Sequence, residues 1–209
     1  MHKTVLKMIL LSLSFLAYAN INNSTDLVEI NKINPNIKLD IRYATPNNFT
    51  HQILYKSARC FLCREAALAL NNVQQELEEL GLGLLIWDGY RPLSTQKKMW
   101  AVVPDDRYVA NPAKGSRHNR GCAVDCTIIK KDGTLLEMPS EFDDFSEKAH
   151  RSYMNLSQEA ITNRTLLENI MAKHGFAGLP TEWWHFDFKE WQQHPILNVD
   201  FEDLAEKGR

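Results

Sequence analysis

Ser116-Arg117-His118-Asn119-Arg120-Gly121-Cys122-Ala123-Val124-Asp125 runs directly into Cys126-Thr127-Ile128-Ile129. The first part is polar and ends on a glycine. The second, Cys122 to Ile129, is a short apolar run that reads as a buried strand. His118 and Asp125 are seven residues apart, and on one flat strand an odd offset sends two side chains to opposite faces. They converge only where the chain bends between them. Gly121 permits that bend, and the small Ala123 leaves room beside it. His118 is therefore expected on the loop that enters the strand, and Asp125 on the strand itself. A carboxylate within an apolar strand needs a partner, because a lone buried charge is costly.

On either side, helices alternate irregularly with short strands. Ala66, Leu70, Val73, Leu77 and Leu80 recur at steps of three and four, which predicts a helix over Arg64 to Leu80, stopped by Gly81. Leu82 to Trp87 reads as a strand ending at the turn Asp88-Gly89. Ser94 is placed to cap a helix through Val103, and Pro104 to Arg120 reads as a long loop. Lys131-Asp132-Gly133 predicts a turn into a third strand around Thr134 to Met138. Ser157 to His174 reads as helix, stopped by Gly175, and Glu182 to Phe188 as strand. Ser24 to Asn48 is polar with short β-like runs such as Lys38 to Tyr43. Hairpin-joined strands with separate helices favour α+β: a single domain with a central, largely antiparallel sheet and flanking helices.

Composition limits the possible partners. The 209 residues suit one domain with a core of its own, so a metal here is expected to serve chemistry rather than folding. Lys3 and Lys7, the apolar run Met8 to Leu16 and the small-x-small Ala17-Tyr18-Ala19 form the pattern of a secretory signal peptide over residues 1–19, too short to span a membrane. The mature domain, residues 20–209, then holds 22 basic and 26 acidic residues, a formal charge of −4. That balance gives no electrostatic footprint for nucleic acid. No later stretch is long enough to cross a bilayer, so no membrane association is expected after cleavage. Export makes disulfides possible among Cys60, Cys63, Cys122 and Cys126. Sequence does not assign them, although Cys122 and Cys126 on one strand would lie about 13 Å apart, beyond bonding distance.

A second segment, Glu182-Trp183-Trp184-His185-Phe186-Asp187-Phe188, places His185 opposite the face of Trp184, Phe186 and Phe188. His118, Asp125 and His185 together make two imidazoles and a carboxylate, a ligand set for one catalytic Zn2+ with an open fourth position. Glu182 stands close enough to act as general base and acid without being a ligand. In a third segment, Trp87-Asp88-Gly89-Tyr90-Arg91-Pro92, Arg91 projects from a rigid base. It either stabilises an oxyanion or simply pairs with Asp88. His51, His150, His174 and His194 have no comparable setting and read as structural or surface residues.

These segments together resemble the D-alanyl-D-alanine dipeptidases, the zinc peptidases of the vancomycin-resistance type. The pattern S-x-H-x-x-G-x-A-x-D followed by E-x-x-H stands here as Ser116 to Asp125 and Glu182 to His185. The resemblance extends to Asp40-Ile41-Arg42-Tyr43-Ala44-Thr45, Asn48-Phe49-Thr50, Trp87 to Pro92 and Phe142-Asp143, and spans residues 27 to 200. It implies a zinc D,D-peptidase, hedgehog-like fold, zinc on His118, Asp125 and His185, Glu182 as base and acid, and Arg91 as transition-state stabiliser. It further implies Asp143 as the partner of the substrate ammonium, Tyr43 lining that end, and Ser116 as a substrate contact near the metal.

The expected reaction is hydrolysis of D-Ala-D-Ala to two D-alanines in cell-wall peptide turnover, by an enzyme secreted to the bacterial periplasm. A D,D-carboxypeptidase or endopeptidase on peptidoglycan stems would lack the ammonium-binding acid. A non-catalytic zinc module binding wall peptides would lack the general base. Oligomeric state and substrate breadth are not legible in the sequence.

Overall fold

A five-stranded sheet organises the chain, and the strand singled out above lies at its middle. The computed structural model describes residues 26–207, with side chains to residue 204; the expected signal peptide lies outside the described residues. In chain order the elements are β1 (Leu27–Glu29), α1 (Ile30–Ile33), β2 (Lys38–Leu39), β3 (Phe61–Cys63), α2 (Arg64–Glu79), β4 (Leu82–Asp88), α3 (Leu93–Val102), β5 (Ala123–Lys130), α4 (Gln158–Lys173), β6 (Phe176–Leu179), β7 (Glu182–Phe188) and α5 (Phe201–Lys207). The large sheet runs β2-β4-β5-β7-β6, and β1 and β3 form a separate pair. Every pairing in the large sheet is antiparallel except β2 with β4. The architecture is the expected α+β one.

β5 is buried along its length up to Lys130, which is why it reads as a continuous apolar run rather than an alternating one. Helix α2 buries Ala66, Ala67, Leu70, Val73 and Leu77 on one face, each large side chain contributing roughly 1.5–3 kcal/mol. Leu80, expected on that face, is exposed instead, because the helix ends at Glu79 and Gly81 turns the chain away with φ 76°. Gln74 is buried in α2, and its Oε1 accepts the Leu84 N–H at 2.8 Å. Since β2 pairs only with Leu85 and Ile86, this side chain satisfies the sheet edge that β2 leaves open. Helix α4 begins at Ser157, whose side chain accepts the Ala160 N–H, as an N-cap should. Helices α2 and α4 pack on each other and on the sheet, and none of their residues lines the site described below.

Three local expectations change. Helix α3 starts after Pro92, and Ser94 does not cap it. Instead the Ser94 N–H donates to Asn198 Oδ1 at 2.7 Å, a cap delivered from 104 residues away. The third strand after Gly133 reduces to a single bridge, Ile129 with Leu135; Pro139, which has no N–H to donate, follows closely. Of Lys38 to Tyr43 only β2 is strand, and Arg42–Ala44 is a short 3-10 helix.

Candidate active site

Three adjacent strands carry one polar row. Asp88 of β4 stands opposite Asp125 of β5, which stands opposite His185 of β7. Cross-strand partners share a face, and a register shift between Ile86 and Asp88 brings Asp88 onto it. His118 arrives from a 3-10 turn, His118–Arg120, closed by Gly121 at φ 68°. A side chain at Gly121 would strike Leu27 and the Cys63 backbone, so both conformation and space require glycine there. The bend expected from the odd spacing is this left-handed turn. His118 Nε2 lies 3.2 Å from His185 Nδ1 and 3.4 Å from Asp125 Oδ2, and His185 Nδ1 lies 3.0 Å from Asp125 Oδ1. All three residues are buried.

The outer nitrogen of each imidazole is already committed. His118 Nδ1 is 2.7 Å from the Gly89 carbonyl, which can only accept, so Nδ1 carries the proton. His185 Nε2 donates to Asp187 Oδ1 at 2.9 Å. In the neutral rings Nε2 of His118 and Nδ1 of His185 are therefore bare lone pairs, facing each other and a carboxylate. Such a group calls for a cation. Ligands about 2.0–2.1 Å from a tetrahedral zinc stand roughly 3.3–3.4 Å apart, close to the separations here. Outer hydrogen bonds from ligand imidazoles to a carboxylate and a carbonyl also typify zinc sites. The residues fit the ion. Their protonation agrees: burial would lower the His185 pKa, but hydrogen bonds to Asp125 and Asp187 outweigh it and raise it to about 10. Burial would likewise raise that of Asp125, but the two imidazoles hold it well below the usual carboxylate range.

The triad opens into a cavity of about 410 Å³ whose lining includes Glu182, Arg91, Ser116, Tyr43 and Asp143. Glu182 Oε2 is 4.0 Å from His185 Nδ1. Burial raises its pKa to about 8, helped by Asp125 and Asp143 and opposed by His185 and Arg91. Burial works against the Arg91 charge, and the Asp88 carboxylate outweighs it. Arg91 spends Nε and Nη2 on Asp88 Oδ2 at 3.0 and 2.7 Å, and Nη1 on Gln96 Oε1 at 2.9 Å. Three of its five N–H donors are used and two remain for a ligand. The two readings of Arg91 are thus compatible: the Asp88 pair fixes the guanidinium that the cavity sees. Asp143 accepts from Tyr43 Oη at 3.0 Å and weakly from the Phe49 N–H at 3.4 Å. Burial raises its pKa to about 7, with Asp125 adding to the rise. Ser116 is buried, and its Oγ accepts the His118 N–H at 3.2 Å, bracing the turn.

The family model described as D-Ala-D-Ala dipeptidase, Peptidase_M15, matches residues 23–204. The chain belongs to this family. A D-alanyl-D-alanine dipeptidase of Escherichia coli is 35% identical over 187 residues, 90% of this chain and 97% of that protein. Those of Enterococcus faecalis and Streptomyces coelicolor are 34% and 32% identical, covering 72% and 84% of this chain and 85% and 97% of theirs. Among solved structures, the vancomycin-resistance D,D-dipeptidase VanXYg with a D-Ala-D-Ala phosphinate analogue aligns at TM-score 0.42 and 16% identity, over 88% of this chain and 71% of that one.

Membership makes the chain a D-Ala-D-Ala dipeptidase-family zinc metallopeptidase. All eight residues singled out in the sequence line one cavity. Several neighbours were not legible. Asp187 shares its face of β7 with His185 two residues away, so an H-x-D reading of the strand would have found it. Asp88, Tyr55 and Gln96 hold Arg91 in place, with Tyr55 Oη donating to Asp88 Oδ1 at 2.7 Å. His150, read as structural or surface, lines the cavity, as do Phe49, Tyr108 and Phe145; these come from separate loops with no spacing to connect them. Among the described residues no helix is long and apolar enough to cross a membrane.

Proposed function

We propose that this enzyme hydrolyses free D-Ala-D-Ala to two D-alanines using one zinc ion held by His118, Asp125 and His185. The observation that carries the reading is one cavity whose lining joins His118, Asp125, His185 and Glu182 with a half-buried, hydrogen-bonded carboxylate, Asp143. A free dipeptide has an ammonium one residue from its scissile bond, and Asp143 offers that ammonium its counter-charge.

Asp143 and Tyr43 anchor the amino end and so set the scissile carbonyl near the triad. When bound, zinc supplies Lewis acidity, drawing electron density from that carbonyl and acidifying the attacking water. Glu182 takes the proton from this water, and a dication nearby favours the carboxylate form it needs for that. Arg91 turns its two unspent N–H donors toward the developing oxyanion, already oriented by Asp88 and Gln96. Glu182 then passes the proton to the departing amine. Ser116 keeps the His118 turn in place beside the substrate.

Export by the segment 1–19, delivery to a bacterial periplasm and a part in peptidoglycan turnover belong to the same proposal; their support is the leader-like sequence. The test is D-alanine release from the free dipeptide beside release from a stem pentapeptide ending in D-Ala-D-Ala. Preference for the dipeptide supports the reading. Cleavage of the pentapeptide alone would assign a D,D-carboxypeptidase, and binding without cleavage a wall-peptide module.

A further inference from the structure

The four cysteines are all buried, and the proposed reaction uses none of them. The fold brings two together: Cys63 Sγ and Cys122 Sγ are 3.2 Å apart and unbonded. Their backbones are held as neighbours, since the Cys63 N–H donates to the Gly121 carbonyl, one residue before Cys122, at 2.8 Å. A half-buried imidazole, His194, completes a group whose ligand atoms lie within 4.8 Å of one another. Two chemistries suit such a group, a thiophilic metal or a sulfur–sulfur bond. Two thiolates on one tetrahedral zinc at about 2.3 Å would stand roughly 3.8 Å apart; these sulfurs are already closer. His194 Nε2 also lies 4.0 Å from Glu65 Oε2, a competing partner. Cys60 sits elsewhere, against Gly89, and Cys126 lies within β5.

We propose that Cys63 and Cys122 form a disulfide that pins the His118–Asp125 segment to the start of α2. Cys63 is the residue from which α2 begins, and Cys122 links Gly121 to β5. The bond would therefore fasten the turn that presents one ligand and the strand that presents another. The oxidant is an external disulfide, from a thiol–disulfide oxidoreductase or oxidised glutathione. One cysteine thiolate attacks it, forming a mixed disulfide and releasing one thiol. The second thiolate attacks the protein sulfur of that mixed disulfide and releases the other thiol. Two electrons pass to the donor, and the protons lost by the two cysteines balance those gained by the two released thiols. Because both residues are at most 3% exposed, closure takes place during folding, before the core excludes the donor.

The test refolds the purified protein in a glutathione redox buffer, quenches with acid, alkylates under denaturing conditions and maps peptides without reduction. The expected result is one linked pair of peptides carrying Cys63 and Cys122, with Cys60 and Cys126 alkylated. Reduction should lower the thermal midpoint by roughly 10 °C, given a loop of about 60 residues. The double variant Cys63→Ala/Cys122→Ala should show no such drop. Alkylation of all four cysteines, or a different linked pair, overturns the proposal. So do free thiols accompanied by a second tightly held zinc or copper ion, which would make the group a metal site. Peptidase activity is not read here, so failure of this proposal is distinguishable from failure of the dipeptidase reading.

Discussion

Replacing Asp143 by Asn removes the charge assigned to the substrate ammonium while leaving the backbone at ease. Asp143 has φ 61°, a left-handed conformation that Asn tolerates about as well as Asp, and an Asn carbonyl can still accept from Tyr43 Oη. An ammonium about 4 Å from the carboxylate, at an effective dielectric near 20, interacts by about 4 kcal/mol. Desolvation of the ammonium offsets part of this, leaving about 2–3 kcal/mol, or roughly 30- to 150-fold in kcat/KM. The assay compares D-alanine release from D-Ala-D-Ala with release from its N-acetyl derivative. Asp143→Asn should lose that factor on the free dipeptide and almost nothing on the acetylated one. The wild type adds a pH signature. Burial raises the Asp143 pKa to about 7 in the metal-free protein and bound zinc would draw it down, so KM for the free dipeptide should climb as pH falls through a value at or below about 7. The variant should lack that climb. Equal losses on both substrates, or an unchanged pH dependence of KM, would refute the role.

Three further outcomes are expected. Glu182→Gln should lower kcat by about 10²- to 10⁴-fold while metal content, measured by mass spectrometry, stays at one per chain. Asp187→Ala removes the acceptor of the His185 Nε2 proton and should weaken zinc binding about 10- to 100-fold in chelator competition. Metal-free protein holds a proton on His185 up to about pH 10, a raised value, so this proton stabilises the apo fold fully below the unfolded pKa of about 6.5 and the contribution is lost as pH rises through about 10. Zinc must displace that proton, so uptake near pH 8 should release it and apparent affinity should rise with pH over that window, as calorimetry in buffers of different ionisation enthalpy would show.

The elements most readable in the sequence were those whose reasons are local. The α2 face follows from its own spacing, and β5 and β7 from apolar runs with turn residues beside them. The grouping of His118 with Asp125 was legible because Gly121 resolves the odd offset between them. What escaped depends on tertiary delivery. Asn198 supplies the cap that Ser94 was expected to give, and Gln74 replaces a neighbouring strand at the β4 edge. The Arg91 clamp is built from Asp88, Gln96 and Tyr55, which lie on three different segments. The contact between Cys63 and Cys122 joins residues 59 apart, a separation that carries no sequence signal.

The central claim is tested most directly by counting D-alanine released from free D-Ala-D-Ala by the purified protein, first after chelation and then after zinc is restored. The account predicts no release from the chelated protein and, once zinc is returned, two D-alanines for each dipeptide consumed. Undiminished release from protein shown to be free of metal, or none from protein carrying one zinc per chain, would contradict it.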